Sequence, residues 1–254
     1  MLGHNQTMLV AALDTTTRLG SVALVRDGVV IATFVGDEHR PHATRLPGDV
    51  VRLLAGQGMT VADVDVFGVA TGPGSFTGLR IGLAAVQGLA FASGKPVVGV
   101  SAFEALAAAV WAEHPESAAA PLAIWLDGQR QEVFAAVLRM RGRPVATELA
   151  IDYLEEPSVA PPSVVLKRWG GEPWWATAIL AGDGIQAYRD VLASCLGGAR
   201  QVITPTPMLA PAIGWLAEQR AASGGALAPH AVKPLYVRRP DAELARDRQR
   251  AGQV

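Results

Sequence analysis

Two stretches of the chain, 113 residues apart, share one pattern and restrict the fold more than any other feature. Residues 9–14 read LVAALD and residues 122–127 read LAIWLD, and each is an apolar run that ends in an aspartate. Such a run is typical of a central strand buried on both faces. A turn-forming glycine follows each copy, at Gly28 and at Gly142. The pattern therefore indicates an internal duplication.

The order of predicted elements supports the duplication. In the first half we predict strands at Met8–Asp14, Ser21–Arg26, Val29–Val35, Val64–Ala70 and Pro96–Val100, and helices at Thr44–Gln57, Thr77–Ala92 and Ser101–Trp111. In the second half we predict strands at Leu122–Asp127, Glu132–Met140, Arg143–Thr147, Ala178–Ala181 and Gln201–Thr204, and helices at Ile185–Leu196 and Pro207–Ala221. Three strands followed by helix, strand and helix is the order of a ribonuclease-H-like unit.

This order predicts an α/β fold of two ribonuclease-H-like lobes, the architecture of actin, Hsp70 and sugar kinases. We place the first lobe at residues 8–113, a more divergent second lobe at 114–230 and a tail at 231–254. Four prolines in Glu155–Trp175 predict an irregular insertion or long connection there.

Composition limits the class of protein. The 22 basic and 23 acidic residues give a net charge of −1, whereas a protein that binds tRNA alone usually has a basic excess. The single cysteine, Cys195, excludes a disulfide framework and, in the apolar run 191–196, is expected to be buried. We find no signal peptide and no stretch approaching the ~20 apolar residues of a membrane span, so we expect a cytoplasmic protein.

The strand-ending acids Asp14 and Asp127 mark the expected cleft between the lobes. In active proteins of this fold such acids help to hold a magnesium nucleotide, and glycines beside them let the backbone approach phosphate. Here Thr16 stands in the first turn, and the second has one glycine, Gly128. The acids therefore either belong to a degenerate nucleotide site or only accept hydrogen bonds from turn amides.

The stretch Thr71–Gly82 reads TGPGSFTGLRIG and joins a predicted strand to a predicted helix. Free amides at a helix N-terminus favour an anion, and Ser75 or Thr77 could cap this helix. The stretch lacks the Gly-Lys-Ser/Thr ending of a phosphate loop. An anion site and a tight turn therefore both remain open.

Four motifs give the sequence a specific resemblance. They are Leu13–Thr17 (LDTTT), His42–Pro47 (HATRLP), Gly72–Gly82 (GPGSFTGLRIG) and Gly99–Ser101 (GVS). Their order and spacing resemble the TsaB family, also called YeaZ, over most of residues 8–113. Later anchors are fewer: Asp127, Glu132-Val133 and Leu235–Arg238 (LYVR).

The resemblance implies the two-lobed actin-like fold and a supporting role in tRNA modification. In this family the paralogous subunit TsaD transfers threonylcarbamoyl to the adenosine beside the anticodon, TsaE is the ATPase, and TsaC supplies the activated adenylate. The resemblance thus implies no catalytic residue and no required cofactor in this chain, and it leaves weak nucleotide binding in the cleft open. It implies contact with tRNA only through the complex and no membrane, and it leaves open whether the isolated chain forms a homodimer.

Metal ligands are missing where the catalytic relatives have them. TsaD-like chains carry two histidines four residues apart on the helix after the fifth strand, and the corresponding positions here are Ala102 and Leu106. His39 and His42 flank Pro41 without a third ligand nearby. We therefore expect no metal site. The alternatives are an autonomous actin-fold ATPase or kinase, which would need glycine-rich turns, and a metalloprotease, which would need clustered histidines.

A stripe of small residues lies along the predicted helix Thr77–Ala92. Gly78, Gly82, Ala85 and Gly88 are spaced by three or four and share one face. Glycine costs a helix up to ~1 kcal/mol relative to alanine, so close approach of another element should offset the loss. That element is either the chain's own sheet or a partner, and the resemblance implies a subunit interface. The interface reading predicts that Gly82→Leu weakens partner binding while the free chain stays folded.

The last residues combine arginines with acids, among them Arg238, Arg239, Arg246, Arg248 and Arg250. Alternating charge of this kind is typical of a solvated tail, and contact with tRNA or with a subunit is the alternative.

Overall fold

Two five-stranded sheets organise the chain in a computed structural model that describes residues 7–17, 19–37, 42–141, 150–195, 201–204 and 208–238. The first sheet contains β1 (Leu9–Asp14), β2 (Ser21–Arg26), β3 (Val29–Val35), β4 (Val66–Gly72) and β5 (Val97–Ser101). The second contains β6 (Leu122–Asp127), β7 (Val133–Arg141), β8 (Ala150–Ala160), β9 (Ile179–Ala181) and β10 (Val202–Ile203).

The two sheets have the same topology. The strand order is β3-β2-β1-β4-β5 in the first and β8-β7-β6-β9-β10 in the second. In each sheet the central strand pairs antiparallel with its hairpin partner and parallel with the strand on its other side. The predicted α/β fold of two ribonuclease-H-like lobes is therefore confirmed, and β1 and β6 are the corresponding central strands.

Seven helices are found in the described residues. They are α1 (His42–Gly56), α2 (Phe76–Ser93), α3 (Ala102–Glu113), α4 (Pro162–Trp169), α5 (Asp183–Ala187), α6 (Arg189–Cys195) and α7 (Ala210–Ala222). The single helix predicted at Ile185–Leu196 is thus two short helices, which begin before it and break at Tyr188. The side chain of Cys195 lies outside what the structure describes.

Helices α1 and α2 cover one face of the first sheet. Leu46 and Val50 of α1 and Val86 of α2 pack in one buried cluster with Leu9 and Leu13 of β1. The alternation of side chains along β1 sends its other residues to the opposite face. Two separate apolar layers therefore sandwich this sheet, as expected for strands that are apolar on both faces.

The opposite face of the first sheet belongs to a core that both lobes share. Val10 and Ala12 of β1 lie in one buried cluster with Phe103 and Val110 of α3 and with Ile124 of β6. Helix α3 thus lies in a continuous apolar region between the two sheets and ties the lobes together.

Helix α7 corrects the predicted boundary between the lobes. The sequence places it in the second lobe at 114–230, but it packs on the first sheet. A Cβ added to Gly214 of α7 would lie 2.4 Å from Val25 Cγ2 of β2, so the backbones approach closely. The Gly28 amide donates to Glu218 Oε2 at 2.7 Å. The chain therefore returns to the first lobe after completing the second.

The proline-rich stretch Glu155–Trp175 is regular rather than irregular. Strand β8 runs through Pro157 because it is an edge strand, where the missing amide donor faces no neighbouring strand. Register shifts in the β7–β8 pairing accompany it. Helix α4 follows, and Trp169 Nε1 donates to Glu155 Oε2 at 2.7 Å. The strand predicted at Arg143–Thr147 lies outside the described residues.

A buried ion pair explains part of the HATRLP motif. Arg45 Nη1 lies 2.8 Å from Asp49 Oδ2, and both side chains are 1% exposed. Arg45 also donates to the Leu19 carbonyl, and Asp49 also pairs with the more exposed Arg52. A Cβ at Gly36 would lie about 2 Å from the Arg45 guanidinium, so this position requires glycine. Arg45 therefore anchors α1 to the start of β2 through Leu19 and to the end of β3 beside Gly36.

Candidate functional site

A cleft of about 1250 Å³ lies between the lobes, at the carboxyl ends of β1 and β6. Its walls are the turns that follow these two strands, the start of α2, one side of α3, the start of α5 and the segment 235–238. Clefts at the carboxyl ends of strands are the usual ligand sites of α/β folds. The cleft is therefore the candidate functional site.

The two strand-ending acids are placed differently. Asp14 is fully buried, and its Oδ1 accepts hydrogen bonds from Thr16 N at 2.8 Å and from Thr16 Oγ1 at 2.6 Å. Thr16, rather than Asp14, lines the cleft. Asp127 does line it, and its Oδ1 accepts from Gln129 N at 2.9 Å while its Oδ2 accepts from Gln129 Nε2 at 2.6 Å. Each acid therefore orders the turn that follows it, in agreement with the second of the two readings.

The first turn is closed by direct packing on α2. A Cβ at Gly74 would lie 2.7 Å from Thr16 Cβ, and one at Gly78 would lie 2.3 Å from the Thr15 carbonyl oxygen. Ser75 N donates to the Thr16 carbonyl at 3.2 Å, and Ser75 Oγ accepts from Gly78 N at 3.2 Å. The predicted Ser75 cap is thus confirmed. These glycines serve close approach within the chain, and two of the amides that an anion would need are already bonded.

The turn that follows β6 is strained, and its residues 129–131 all carry side chains instead of being glycines. Gln129, Arg130 and Gln131 have φ values of 57°, 55° and 62°, in the left-handed region that non-glycine residues rarely adopt. The turn is closed by Gly128 N donating to Glu132 O and by Glu132 N donating to Gln129 O, both at 3.0 Å. These bonds and the Asp127 carboxylate stabilise three successive residues in this conformation.

A magnesium nucleotide held through both turns, as the actin-like fold implies, does not fit these residues. In the first turn Thr15 and Thr16 occupy the space beside the glycines of α2. In the second turn Gln129 and Arg130 line the cleft where bare backbone would have to meet phosphate.

Asp183 is a cleft residue that the sequence analysis missed. It is the first residue of α5, and its Oδ1 accepts from Asp127 N at 2.9 Å. Burial raises the pKa of Asp183, and the nearby Asp127 carboxylate raises it further, while the hydrogen bond from Asp127 N opposes the shift. No motif marks this residue, because only the parallel pairing of β6 with β9 brings the two acids together.

The floor of the cleft is apolar on the side of α3. Ala102 and Leu106 are buried and line the cavity, together with Leu79 of α2 and Phe134 of β7. Ala102 and Leu106 occupy the positions where the resemblance places the histidine pair of TsaD-like chains. Neither side chain can bind a metal. His39 and the side chain of His42 lie outside what the structure describes.

The small-residue stripe of α2 divides between two surroundings. Gly78 and Gly82 face Thr15 of the same chain, with a Cβ at Gly82 only 2.2 Å from Thr15 Oγ1. Ala85 is half-buried, and Gly88 is exposed with nothing within 4 Å of an added Cβ. A leucine at Gly82 would meet the Thr15 side chain of the same chain, so we now expect Gly82→Leu to destabilise the free chain as well. Partner contact along α2 stays a prediction.

A second face of α2, displaced by about one residue from the small-residue stripe, is exposed to solvent. Thr77, Ala84, Gly88 and Phe91 are exposed at spacings of three, four and seven, so they share one face. Phe91 is 83% exposed, which is unusual for so large an apolar side chain. We call this exposed face, formed by Thr77, Ala84, Gly88 and Phe91, the α2 outer face.

Comparisons with known proteins agree on one family. Residues 36–172 match the family model described as TsaD: tRNA N6-adenosine threonylcarbamoyltransferase. The tRNA threonylcarbamoyladenosine biosynthesis protein TsaB of Escherichia coli is 34% identical over 188 residues, which cover 72% of this chain and 75% of that protein. TsaB of Haemophilus influenzae is 35% identical over 140 residues, 54% of this chain and 57% of that protein.

Solved structures give the same answer. YeaZ from Pseudomonas aeruginosa superposes with a TM-score of 0.72 at 29% sequence identity, and the match covers 90% of this chain and 99% of that one. The identity with TsaB of Escherichia coli and the superposition on YeaZ show that the chain belongs to the TsaB (YeaZ) family of tRNA threonylcarbamoyladenosine biosynthesis proteins.

Proposed function

We propose that the chain is a non-catalytic subunit that supports a TsaD-like partner in transferring threonylcarbamoyl to the tRNA adenosine beside the anticodon. One observation carries the proposal: Ala102 and Leu106, at which the resemblance to TsaD-like chains places a histidine pair, are buried apolar residues that line the cleft. A cleft with an apolar floor at these positions has no ligand to hold a catalytic metal there. The chain therefore acts through a partner.

The α2 outer face is the proposed contact with that partner. Helix α2 has a mean hydropathy of 1.2 over its 18 residues, with 33% of them buried. By length and composition alone it could cross a membrane, a test that core helices of soluble proteins also pass. In the fold it packs on β4 and α1, which makes it one layer of the first lobe. Its exposed apolar side, which includes Ala84, Gly88 and Phe91, is suited to burial against another protein.

The wider assembly follows from the same proposal. A TsaE-like ATPase joins through the complex, and tRNA is contacted only through the complex, in agreement with the net charge of −1. In the absence of its partner the chain forms a homodimer that covers the same apolar face. The reaction takes place in the cytoplasm.

We expect Phe91→Asp to abolish assembly without unfolding the chain. A carboxylate placed at the centre of a dry interface loses its hydration, so affinity for the TsaD-like subunit should fall at least roughly a hundredfold. The exposed position should leave the melting temperature within a few degrees. Calorimetric titration against the purified TsaD-like subunit measures the first effect, and threonylcarbamoyl transfer to tRNA in the reconstituted system should fall with it.

The matched control is Val164→Asp on α4, which adds the same charge at an apolar residue that is 51% exposed on the second lobe. Binding and activity of this variant should equal those of the unmodified chain. Normal binding by the Phe91→Asp variant would contradict the proposed face. Transfer activity by the chain without a TsaD-like subunit would contradict the supporting role itself.

The cleft acids give a separate prediction. Asp14→Asn and Asp127→Asn should leave assembly intact, because an amide oxygen can accept the same turn hydrogen bonds. We expect each variant to co-purify with the TsaD-like subunit and to lose no more than about 0.5–1.5 kcal/mol of stability. If assembly is normal but tRNA modification is lost, the acids act in function rather than only in the turns.

A further inference from the structure

The LYVR motif near the end of the chain has no role in the function proposed above, and the structure places it across the mouth of the cleft. After α7 the chain runs along the first lobe, where Leu227 pairs with Val97 and Gln87 Nε2 donates to the carbonyls of Pro229 and Val232 at 2.9 and 3.1 Å. Leu235 N then donates to the Thr71 carbonyl at 2.7 Å. Residues 231–238 are therefore attached to the fold. Of the arginines for which the sequence predicts a solvated tail, only Arg238 lies within the described residues.

An aromatic and cationic cluster holds this segment to the first lobe. Arg80 Nε donates to Tyr236 Oη at 3.1 Å, and the Arg80 guanidinium carbon lies 3.9 Å from the centre of the Phe76 ring. The rings of Phe76 and Tyr236 are 5.6 Å apart, within the range of favourable aromatic pairs. Both rings are partly exposed, at the first-lobe side of the cleft mouth.

Two residues later the segment reaches the second lobe. Arg238 Nη1 donates to the Gly128 carbonyl at 2.7 Å, and Nη2 pairs with the Glu132 carboxylate. The guanidinium lies 5.2 Å from the centre of the Phe134 ring. Gly128 and Glu132 are the two ends of the strained turn that follows Asp127. Arg238 therefore holds the second lobe at the turn where the actin-like fold would place phosphate.

We infer that residues 235–238 are an inter-lobe latch that fixes the opening of the cleft without any bound ligand. The shared core around α3 joins the lobes at the back, and the latch joins them at the front. In a two-lobed fold with a cleft, a ligand that contacts both lobes closes them through its differential affinity for the closed form. Here Tyr236 contacts the first lobe and Arg238 contacts the second. Both side chains belong to the chain itself, so the closed arrangement is populated permanently. This inference concerns the free chain and does not depend on the proposed partner.

The latch is tested by hydrogen exchange on the full chain. Arg238→Ala removes a charge-assisted pair and a hydrogen bond to Gly128, so the amides of Gly128 and Glu132 should exchange roughly tenfold faster or more. Arg141→Ala is the matched control, because it removes an arginine from an exposed pair with Asp152, and exchange in the turn should not change. Unchanged exchange in the Arg238→Ala variant would overturn the inference.

A second variant separates a latch from a local cap on the turn. Tyr236→Ala removes only the contact with the first lobe. If residues 235–238 act as one continuous latch, the amides of Gly128 and Glu132 should still exchange faster. If Arg238 only caps the turn, their exchange rates should not change. Spin labels at the exposed positions Val51 and Val164, in a Cys195→Ser background, report the distance between the lobes. The distance distribution should broaden in both latch variants and stay narrow in the control. A distribution that stays narrow in Arg238→Ala would also overturn the inference.

Discussion

Alanine at Gly78 is expected to destabilise the chain strongly, whereas alanine at Gly88 in the same helix is expected to stabilise it. At Gly78 the new methyl group would lie 2.3 Å from the Thr15 carbonyl oxygen, a backbone atom that cannot rotate away. Overpacking of this kind typically costs about 1–3 kcal/mol, and a backbone obstacle places the cost at the upper end or beyond. For a chain of this length, the melting temperature should fall by roughly 5–10 °C.

At Gly88 nothing lies within 4 Å of the added carbon, so only helix propensity changes. Alanine should add up to about 1 kcal/mol there and raise the melting temperature by roughly 1–4 °C. Thermal unfolding followed by circular dichroism measures both variants. Equal melting temperatures for the two would contradict the packing of Thr15 on α2.

The second large effect is expected at the buried ion pair of α1. Asp49→Ala leaves the Arg45 guanidinium buried without its carboxylate, and breaking a buried pair in this way typically costs about 3–5 kcal/mol. Denaturant unfolding should show this loss as a lower midpoint at an unchanged slope. The comparison variant Asp152→Ala breaks the exposed pair with Arg141 and should cost no more than about 1 kcal/mol.

Removing both partners separates the cost of an unpaired charge from the value of the pair. The double variant Arg45→Met with Asp49→Leu replaces two buried charges by apolar side chains of similar length, so it should recover most of the stability lost in Asp49→Ala. A double variant as unstable as the single one would mean that the bond from Arg45 to the Leu19 carbonyl, rather than the ion pair, anchors α1.

The two-lobed architecture could be predicted because each strand and helix has its own local pattern in the sequence. The apolar runs that end in Asp14 and Asp127 mark β1 and β6, and the order of elements around each run determines the lobe. The predicted bounds of α2 and α3 differ from the observed ones by only one or two residues, since caps at Ser75 and Ser101 mark their starts.

The candidate site could be predicted only in part, because it is assembled from distant segments. Periodicity identified small residues on α2, but whether Gly82 faces a partner or Thr15 depends on where the turn after β1 packs. Asp183 comes beside Asp127 only through strand pairing, and Arg238 reaches Gly128 only after the whole chain has crossed back. None of these contacts leaves a pattern in neighbouring residues.

The return of α7 to the first sheet has a consequence for the order in which the chain matures during synthesis. The inner face of β1 and β2 is covered by a helix that ends at Ala222, although the strands themselves are complete by Arg26. While the ribosome makes the intervening residues, Val10, Ala12 and Val25 therefore lack part of their native cover. Domains usually fold as units in the order of their synthesis. Here the core of the first lobe is complete only after the second lobe has been synthesised. In the interval the first sheet exposes apolar surface that a chaperone would bind.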